Sequence, residues 1–251
     1  MTWSVVLICL SALAAGAVNS IAGGGTLLTF PALLALLGPV SANATSTVAL
    51  LPGSLSAGFG YRTELRRARR HLLLLWPPSL VGGSIGALLV IRMPERVFAG
   101  AIPWLLITAS VLLLLQRPVQ RRLAARAKSG PSRGTTAAVV GFQLLVGIYG
   151  GYFGAGIGIL MLSSLAFMGI DDIHEMNAVK NILAATMNGV SALIFALSGV
   201  VVWKYAAIMA VAAIIGGYAG ARLARRLKPE WVRAIVVTVG FLVAAWSFRS
   251  L

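Results

Sequence analysis

The sequence contains few acidic residues and almost no cysteine. Six Asp and Glu residues stand against 21 Lys and Arg, and Cys9 is the single cysteine. One cysteine excludes an internal disulfide and a cysteine-based metal cluster. No nucleotide-binding motif, catalytic triad or zinc-ligand pattern is visible, so we expect no ATP hydrolysis by this chain, no enzymatic activity, no metal and no cofactor.

Charge of either sign is scarce. Charged residues make up 11% of the chain, against about 25% in soluble domains, while 59% of the residues are hydrophobic and the mean hydropathy is +0.91. Apolar runs such as 72–91 approach the roughly 20 residues that cross a bilayer as a helix. The composition predicts an all-α polytopic membrane protein with several passes through the cell's inner membrane.

The positive charge is concentrated between the apolar segments. Three blocks hold sixteen of the 21 basic residues: Arg62, Arg66, Arg67, Arg69 and Arg70; Arg117, Arg121, Arg122, Arg126, Lys128 and Arg133; and Arg222, Arg225, Arg226, Lys228 and Arg233. Basic loops typically remain on the cytoplasmic side. The blocks therefore predict orientation in the membrane and contact with anionic lipid headgroups, and nucleic acid is not expected as a partner.

Two stretches of the chain repeat the same ordered features. Four glycines recur 131 residues later: Gly16, Gly23, Gly25 and Gly38 match Gly147, Gly154, Gly156 and Gly169. At an offset of 134 residues, Asn43 matches Asn177 and GGSIGA at 82–87 matches GGYAGA at 216–221. An ordered series at a nearly constant offset predicts a duplication. We expect a first membrane repeat at 1–116, a basic cytoplasmic connector at 117–136 and a second membrane repeat at 137–251.

Each repeat is read as five apolar segments, giving roughly 8–10 membrane segments in total. We place them near 3–22, 26–37, 43–60, 72–91 and 96–115, and near 137–153, 156–169, 177–199, 204–224 and 232–248. The basic block follows the third segment in the first copy but the fourth segment in the second. An odd number of segments together with this charge pattern predicts two inverted-topology repeats with both termini outside. Such repeats are typical of secondary transporters, and a duplicated membrane scaffold is the alternative.

Glycine-rich breaks interrupt the apolar segments at matching places in the two copies. The first contains Gly23, Gly24, Gly25 and Thr26, and the second contains Gly154, Gly156 and Gly158. Each precedes a segment too short to span the membrane, so we expect broken or re-entrant helices. A helix that restarts after glycine exposes amide N–H groups and the positive end of its dipole, which suits a small anion. Close helix packing is the alternative for these breaks, and it is the role we assign to GGSIGA and GGYAGA.

Polar residues cluster at the start of the third segment of each copy. They are Asn43, Thr45 and Ser46 in the first copy, and Asn177, Lys180 and Asn181, with Asn188 two turns later, in the second. They can cap a helix start or offer donors to a ligand oxygen. Lys180 is either a functional group within a span or a residue that reaches the headgroups.

A short acidic segment precedes the third span of the second copy. It contains Asp171, Asp172, His174 and Glu175. A metal site or a proton relay is one interpretation. We favour helix capping and solvated charge instead, because the segment is expected in a cytoplasmic loop.

The motif G-x-x-N-S-x-x-G-G-G-T-L-L-x-x-P at 16–31, A-N-A-T-S-T at 42–47 and the second glycine break resemble the TauE/SafE sulfite exporter family. The resemblance covers nearly the whole chain. It implies an inner-membrane carrier of sulfite, sulfonates such as sulfoacetate, or related organic anions. It implies site positions at Gly23, Gly24, Gly25, Thr26, Asn43 and Thr45, with Gly154, Gly156 and Asn177 as second-copy partners. The second copy departs from the first by having Val179 and Lys180 where Thr45 and Ser46 stand.

The sequence as a whole predicts a secondary transporter of a small anion, sulfite or an organosulfonate, that works by alternating access. One alternative is a carrier of another small solute or of a cation, with backbone carbonyls at the breaks as ligands. Another is a non-transporting membrane assembly protein. The oligomeric state is not predicted.

Overall fold

The computed structural model of the chain describes residues 2–21, 24–59, 66–126, 133–168, 170, 172–223 and 229–249. All regular structure in these ranges is helical, which confirms the all-α prediction. The ten helices are α1 (Thr2–Ile21), α2 (Thr26–Leu34), α3 (Pro39–Phe59), α4 (Arg69–Arg92), α5 (Glu95–Arg126), α6 (Arg133–Tyr152), α7 (Ile157–Phe167), α8 (Ile173–Leu197), α9 (Trp203–Leu223) and α10 (Pro229–Arg249).

Several of these helices have the length and composition of membrane spans. Among the described residues, five stretches qualify: Arg69–Arg92, Glu95–Leu115, Gly134–Tyr152, Glu175–Leu197 and Trp231–Arg249. Shorter apolar helices cover Trp3–Asn19, Ile157–Phe167 and Trp203–Ala219. Many large apolar side chains are exposed on the outer surface, among them Leu145, Val211 and Leu242, as a lipid-facing surface requires. The prediction of a polytopic membrane protein is confirmed.

The helix packing follows one pattern in both halves of the chain. The most extensive contacts are those of α4 with α6 and of α1 with α9, followed by α4 with α8, α5 with α10, α3 with α8 and α3 with α9. The helices α1–α5 correspond in order to α6–α10. When each helix is replaced by its counterpart, most pairs of contacting helices become other contacting pairs. The contacts of α3 with α5 and of α1 with α10 are exceptions. Each half therefore completes its core with helices from the other half. The opposite membrane orientation of the halves stays a prediction.

Small residues allow the two largest interfaces to form. A Cβ atom on Gly86 would overlap the Ile148 carbonyl oxygen in α6, and one on Gly216 would overlap the Leu13 carbonyl oxygen in α1. A Cβ on Gly82 would lie 2.8 Å from the Gly147 Cα. Backbones approach this closely only where side chains are absent. The packing role predicted for GGSIGA and GGYAGA is confirmed.

Some helix ends differ from the predicted segments. The connector predicted at 117–136 is helical over much of its length, because α5 continues to Arg126 and α6 begins at Arg133. Arg, Gln, Leu and Ala in 117–126 are strong helix formers, which favours this extension. Helix α3 begins at Pro39 and α8 at Ile173, four residues before the predicted starts. Proline suits the first turn of a helix, and Glu175 in the first turn of α8 complements the helix dipole.

Candidate functional site

The first glycine break lies between α1 and α2, and Gly24 and Gly25 are its described residues. Gly24 has φ +92°, a conformation that side chains disfavour, and a Cβ on it would lie 2.6 Å from Leu113 Cδ1 in α5. Helix α2 has nine residues, or about 14 Å, which is less than half of the roughly 30 Å hydrocarbon core. The first break is therefore a true interruption followed by a short helix. Gly23, predicted as a site residue, lies outside the described residues.

The first break is closed by a side chain from α1. The Gly25 amide N–H donates to Asn19 Oδ1 at 2.8 Å. Gly25 occupies the N-cap position of α2 and, as a glycine, has no side chain with which to cap the helix. Thr26 is the first helical residue. Thr26 therefore does not cap α2, and the Gly25 amide is satisfied by Asn19 Oδ1.

The second glycine break, residues 153–156, separates α6 from α7. Gly154 and Gly156 both have φ +79°, and α7 has eleven residues, or about 17 Å. The Tyr149 carbonyl accepts the amide N–H groups of Phe153 and Gly154, and the Tyr149 hydroxyl donates to the Ala155 carbonyl at 2.8 Å. The next four amide N–H groups, those of residues 155–158, have no acceptor among the described residues.

The two breaks approach one another around a single turn of α5. Gly24 faces Leu113, while a Cβ on Gly156 would lie 3.3 Å from both the Ala109 carbonyl oxygen and Leu112 Cβ. Side-chain contacts also cross between the two breaks. The rings of Phe30 in α2 and Phe153 in the second break meet edge to face with centroids 5.3 Å apart. Asn43 Nδ2 in α3 donates to the Tyr152 carbonyl at 3.0 Å.

Asn43 lies within α3 rather than at its start. Helix α3 begins at Pro39, so the alternative in which Asn43 caps the helix is wrong. Asn43 is 1% exposed, and its Oδ1 has no hydrogen-bond partner in the part of the chain that the structure describes. Because a carbonyl oxygen only accepts, the contact with Tyr152 fixes which amide atom of Asn43 is the nitrogen. Asn43 therefore places a buried acceptor with no partner beside the second break.

Thr45 and Ser46 are engaged in contacts between helices. The Val202 amide N–H, just before α9, donates to Thr45 Oγ1 at 3.1 Å. Ser46 Oγ and Thr29 Oγ1 share a hydrogen bond of 2.6 Å. Both hydroxyls stabilise packing of α3 against its neighbours.

The polar residues of α8 divide into two groups. Lys180 Nζ donates to Asn177 Oδ1 at 2.9 Å, and a Cβ on Gly158 would lie 3.4 Å from Lys180 Cδ. A Cβ on Gly154 would lie 3.5 Å from Asn188 Oδ1. These contacts place Lys180 and Asn188 against the second break. Asn181 is half-buried, and no described contact connects it with the second break.

Asn19 has a role at the first break that was not predicted from the sequence. It lies in the quoted motif, six residues before Gly25, and a polar residue near the end of an apolar helix is a detectable signal. Phe30, Phe153 and the α5 turn at 109–113 were also missed. Apolar residues of this kind carry no signal in the sequence that separates a site wall from ordinary core.

The acidic segment before α8 is only partly described. Asp171 and the side chain of His174 lie outside the described residues, while Asp172 is exposed and Glu175 lies in the first turn of α8. Within the described ranges, no group of three His, Cys, Asp or Glu side chains could hold a metal ion. The capping interpretation of this segment stays a prediction.

Comparison with known proteins covers nearly the whole chain. The sequence model of the family described as "Sulfite exporter TauE/SafE" matches residues 8–247. A Haemophilus influenzae "Probable membrane transporter protein" is 27% identical over 248 residues, which cover 96% of this chain and 92% of the relative. The Escherichia coli K12 "Probable membrane transporter protein YfcA" is 30% identical over 241 residues, 93% of this chain and 86% of the relative. A Sinorhizobium "Probable membrane transporter protein ORF9" is 28% identical over 235 residues, 93% and 88% of the two chains.

Proposed function

The chain belongs to the sulfite exporter TauE/SafE family, and from this membership we propose that it carries a small anion, sulfite or an organosulfonate, by alternating access. It is a multi-pass transporter of the inner membrane. The anion, the secondary mode of transport and the site residues are the parts that we propose.

One observation carries the proposal: two interrupted helices restart beside the same turn of α5. Gly24 and Gly156 contact that turn from the two breaks, so the amino-terminal ends of α2 and α7 lie in one region. Both ends bring amide N–H groups and positive dipole ends. Lys180 adds the cationic side chain beside the second break. Such a region attracts negative charge and opposes a cation.

The packing of the halves supports alternating access. Each half contributes a helix to the core of the other through the α1–α9 and α4–α6 interfaces. Small residues let the helix backbones at these interfaces contact each other directly. In carriers built from paired repeats, one bundle rocks against the other around a site near the midplane. The positions of the breaks near the α5 turn are compatible with a site of this kind.

One contact favours the alternative of a cation or a hydrogen-bonding neutral solute. Asn43 Oδ1 is a buried acceptor without a partner, and acceptors of this kind hold a donor or a cation. Asn188 Oδ1 is a second acceptor beside Gly154. We rank this alternative second, because the amide N–H groups of residues 155–158 are donors and Lys180 is cationic. A non-transporting assembly protein receives no support from the names of the relatives.

Counterflow into proteoliposomes tests the proposed function. Vesicles preloaded with sulfite should accumulate labelled sulfite, and external organosulfonates should compete, while potassium or uncharged solutes should not. A protein that is folded and monodisperse, yet shows no counterflow of sulfite or any sulfonate, would contradict the proposal.

Replacing Gly24 with valine links transport to the break. The valine must adopt φ +92° and share space with Leu113, so we expect at least about a tenfold loss of the counterflow rate, because strain of about 1–2 kcal/mol displaces the restart of α2. Gly100→Val is the matched control, since a Cβ there meets nothing within 4 Å. Equal transport by the two variants would remove the first break from the mechanism.

A further inference from the structure

We propose that the transported anion is held at the second break alone, and that Asn19 occupies the corresponding position of the first break. The inference rests on the proposed function and adds to it a single location and a narrower substrate class. It makes the two repeats chemically unequal at the point where their backbones match.

The first break already has an oxygen on its amide. Asn19 Oδ1 lies 2.8 Å from the Gly25 nitrogen, where an oxyanion would place one of its own oxygens. Gly25 stands between Gly24 and Thr26, so the bond to Asn19 takes the middle amide of the three. The hydroxyls behind it are also engaged, because Thr29 pairs with Ser46. The first break therefore has the Gly25 amide, the middle one of these three, satisfied from within the protein.

The second break has no equivalent of Asn19. The residue at the same position of the repeat is Gly150, and the space beside it is taken by Met187 Sδ, 2.9 Å from where a Cβ would lie. The amide N–H groups of residues 155–158 have no acceptor among the described residues. Ala155 and Ile157 are buried, at 1% and 5% exposure. Buried backbone donors of folded proteins are nearly always paired, so the amides of these two buried residues point to a ligand.

The side chain of Lys180 points to the same ligand independently of the backbone of the second break. Lys180 lies over Gly158, and Asn188 Oδ1 lies beside Gly154. Asn177 engages Lys180 Nζ, but an ammonium has three donors and this contact uses one of them. The first copy has Ser46 at the position of Lys180. The charge that an anion requires is therefore present at the second break and lacking at the corresponding position of the first copy.

Asn43 narrows the class of anion. Its Nδ2 is bonded to the Tyr152 carbonyl at the edge of the second break, and its buried Oδ1 has no partner. A group that fits must offer several oxygens to the amides and Lys180, and one O–H or N–H to Asn43. Hydrogen sulfite and sulfonates that bear a hydroxyl or amino group have this chemistry.

Two aspartate variants distinguish the breaks. Asn19→Asp retains an oxygen for the Gly25 amide. We expect its KM for sulfite counterflow to stay within about twofold of the unmodified protein. Asn188→Asp places a negative charge beside Gly154, and we expect KM to rise about tenfold or more through repulsion of the anion. Asn188→Ser, which is neutral, should recover most of the affinity.

Folding is monitored by elution profile and by thermal melting in detergent. If Asn188→Asp does not fold, the melting temperature of Asn19→Asp with and without sulfite still decides the question. Loss of the stabilisation by sulfite in Asn19→Asp would place the anion at the first break. A large rise in KM for Asn19→Asp with little change for Asn188→Asp would overturn the inference while transport by the unmodified protein upheld the proposed function. No sulfite or sulfonate counterflow by the unmodified protein would reject both.

Competition between matched sulfonates tests the role of Asn43. Isethionate has a terminal hydroxyl where 1-propanesulfonate has a methyl group, so we expect isethionate to inhibit sulfite counterflow about tenfold more strongly. Asn43→Leu should bring the ratio near one. Equal inhibition of the unmodified protein by isethionate and 1-propanesulfonate would show that Asn43 Oδ1 does not contact the anion. The location of the anion would then be decided by the aspartate variants alone.

Discussion

The α4–α6 and α1–α9 interfaces occupy equivalent places in the two halves but differ in one polar contact. In α4–α6, Gln143 Nε2 donates to Ser79 Oγ at 2.9 Å, and both residues are fully buried. The equivalent positions in α1–α9 are Ala12 and Ala213, which are also buried. Close glycine packing is therefore common to both interfaces, while the hydrogen bond is specific to one. Close glycine packing is thus the feature that both helix pairs need, and the hydrogen bond between Gln143 and Ser79 is an addition in α4–α6.

The largest expected effect tests the feature that the interfaces share. Gly86→Val and Gly216→Val each force a side chain against a backbone carbonyl of the facing helix. We expect both to reduce stability by about 3 kcal/mol or more, since overpacking of a rigid contact shifts backbone. The measurement is the yield of monodisperse protein and its melting temperature.

Gly141→Val is the control for these variants, because a Cβ at Gly141 in α6 meets nothing within 4 Å. A stable Gly216→Val beside an unfolded Gly86→Val would break the comparison, because the two interfaces would then differ in their tolerance of side chains.

The next effect concerns the charge that the second half alone has at its break. Lys180→Gln removes the cation that lies over Gly158, and we expect KM for sulfite to rise about tenfold or more, since the lost attraction acts where water is partly excluded. The measurement is labelled sulfite counterflow. Lys204→Gln, at the exposed start of α9, should leave KM unchanged. A similar rise in both variants would assign the effect to net charge rather than to the site.

The smallest effect tests the contact that distinguishes the interfaces. The double variant Gln143→Ala, Ser79→Ala gives α4–α6 the alanines of α1–α9. We expect a loss of about 1 kcal/mol, because hydrogen bonds between membrane helices contribute little more than this and Gln143 Oε1 has no partner. Thermal melting of the two single variants and the double variant measures the coupling. A coupling near zero would mean that the hydrogen bond between the helices contributes nothing to stability.

The same comparison shows where sequence reasoning reached the correct structure and where it did not. The apolar segments, both glycine breaks and the packing role of GGSIGA and GGYAGA follow from hydropathy and small-residue spacing, and these local signals survive in the fold. The contact partners of Asn43, Thr45 and Ser46 could not be predicted from these local signals. Their side chains contact Tyr152, Val202 and Thr29, and two of these partners lie more than a hundred residues away. No local pattern predicts such partners.

The amino-acid sequence by itself determined the class of molecule. Its hydropathy requires helices in a membrane, its small residues permit close contact between them, and its glycines interrupt two of them. Only the tertiary structure decided that Asn19 would occupy the first break while Lys180, Asn188 and Asn43 lie around the second. The physical reason is that hydropathy and helix breaks depend on neighbouring residues, whereas a hydrogen bond between helices requires the packing to bring a donor and an acceptor from distant parts of the chain within about 3 Å of each other.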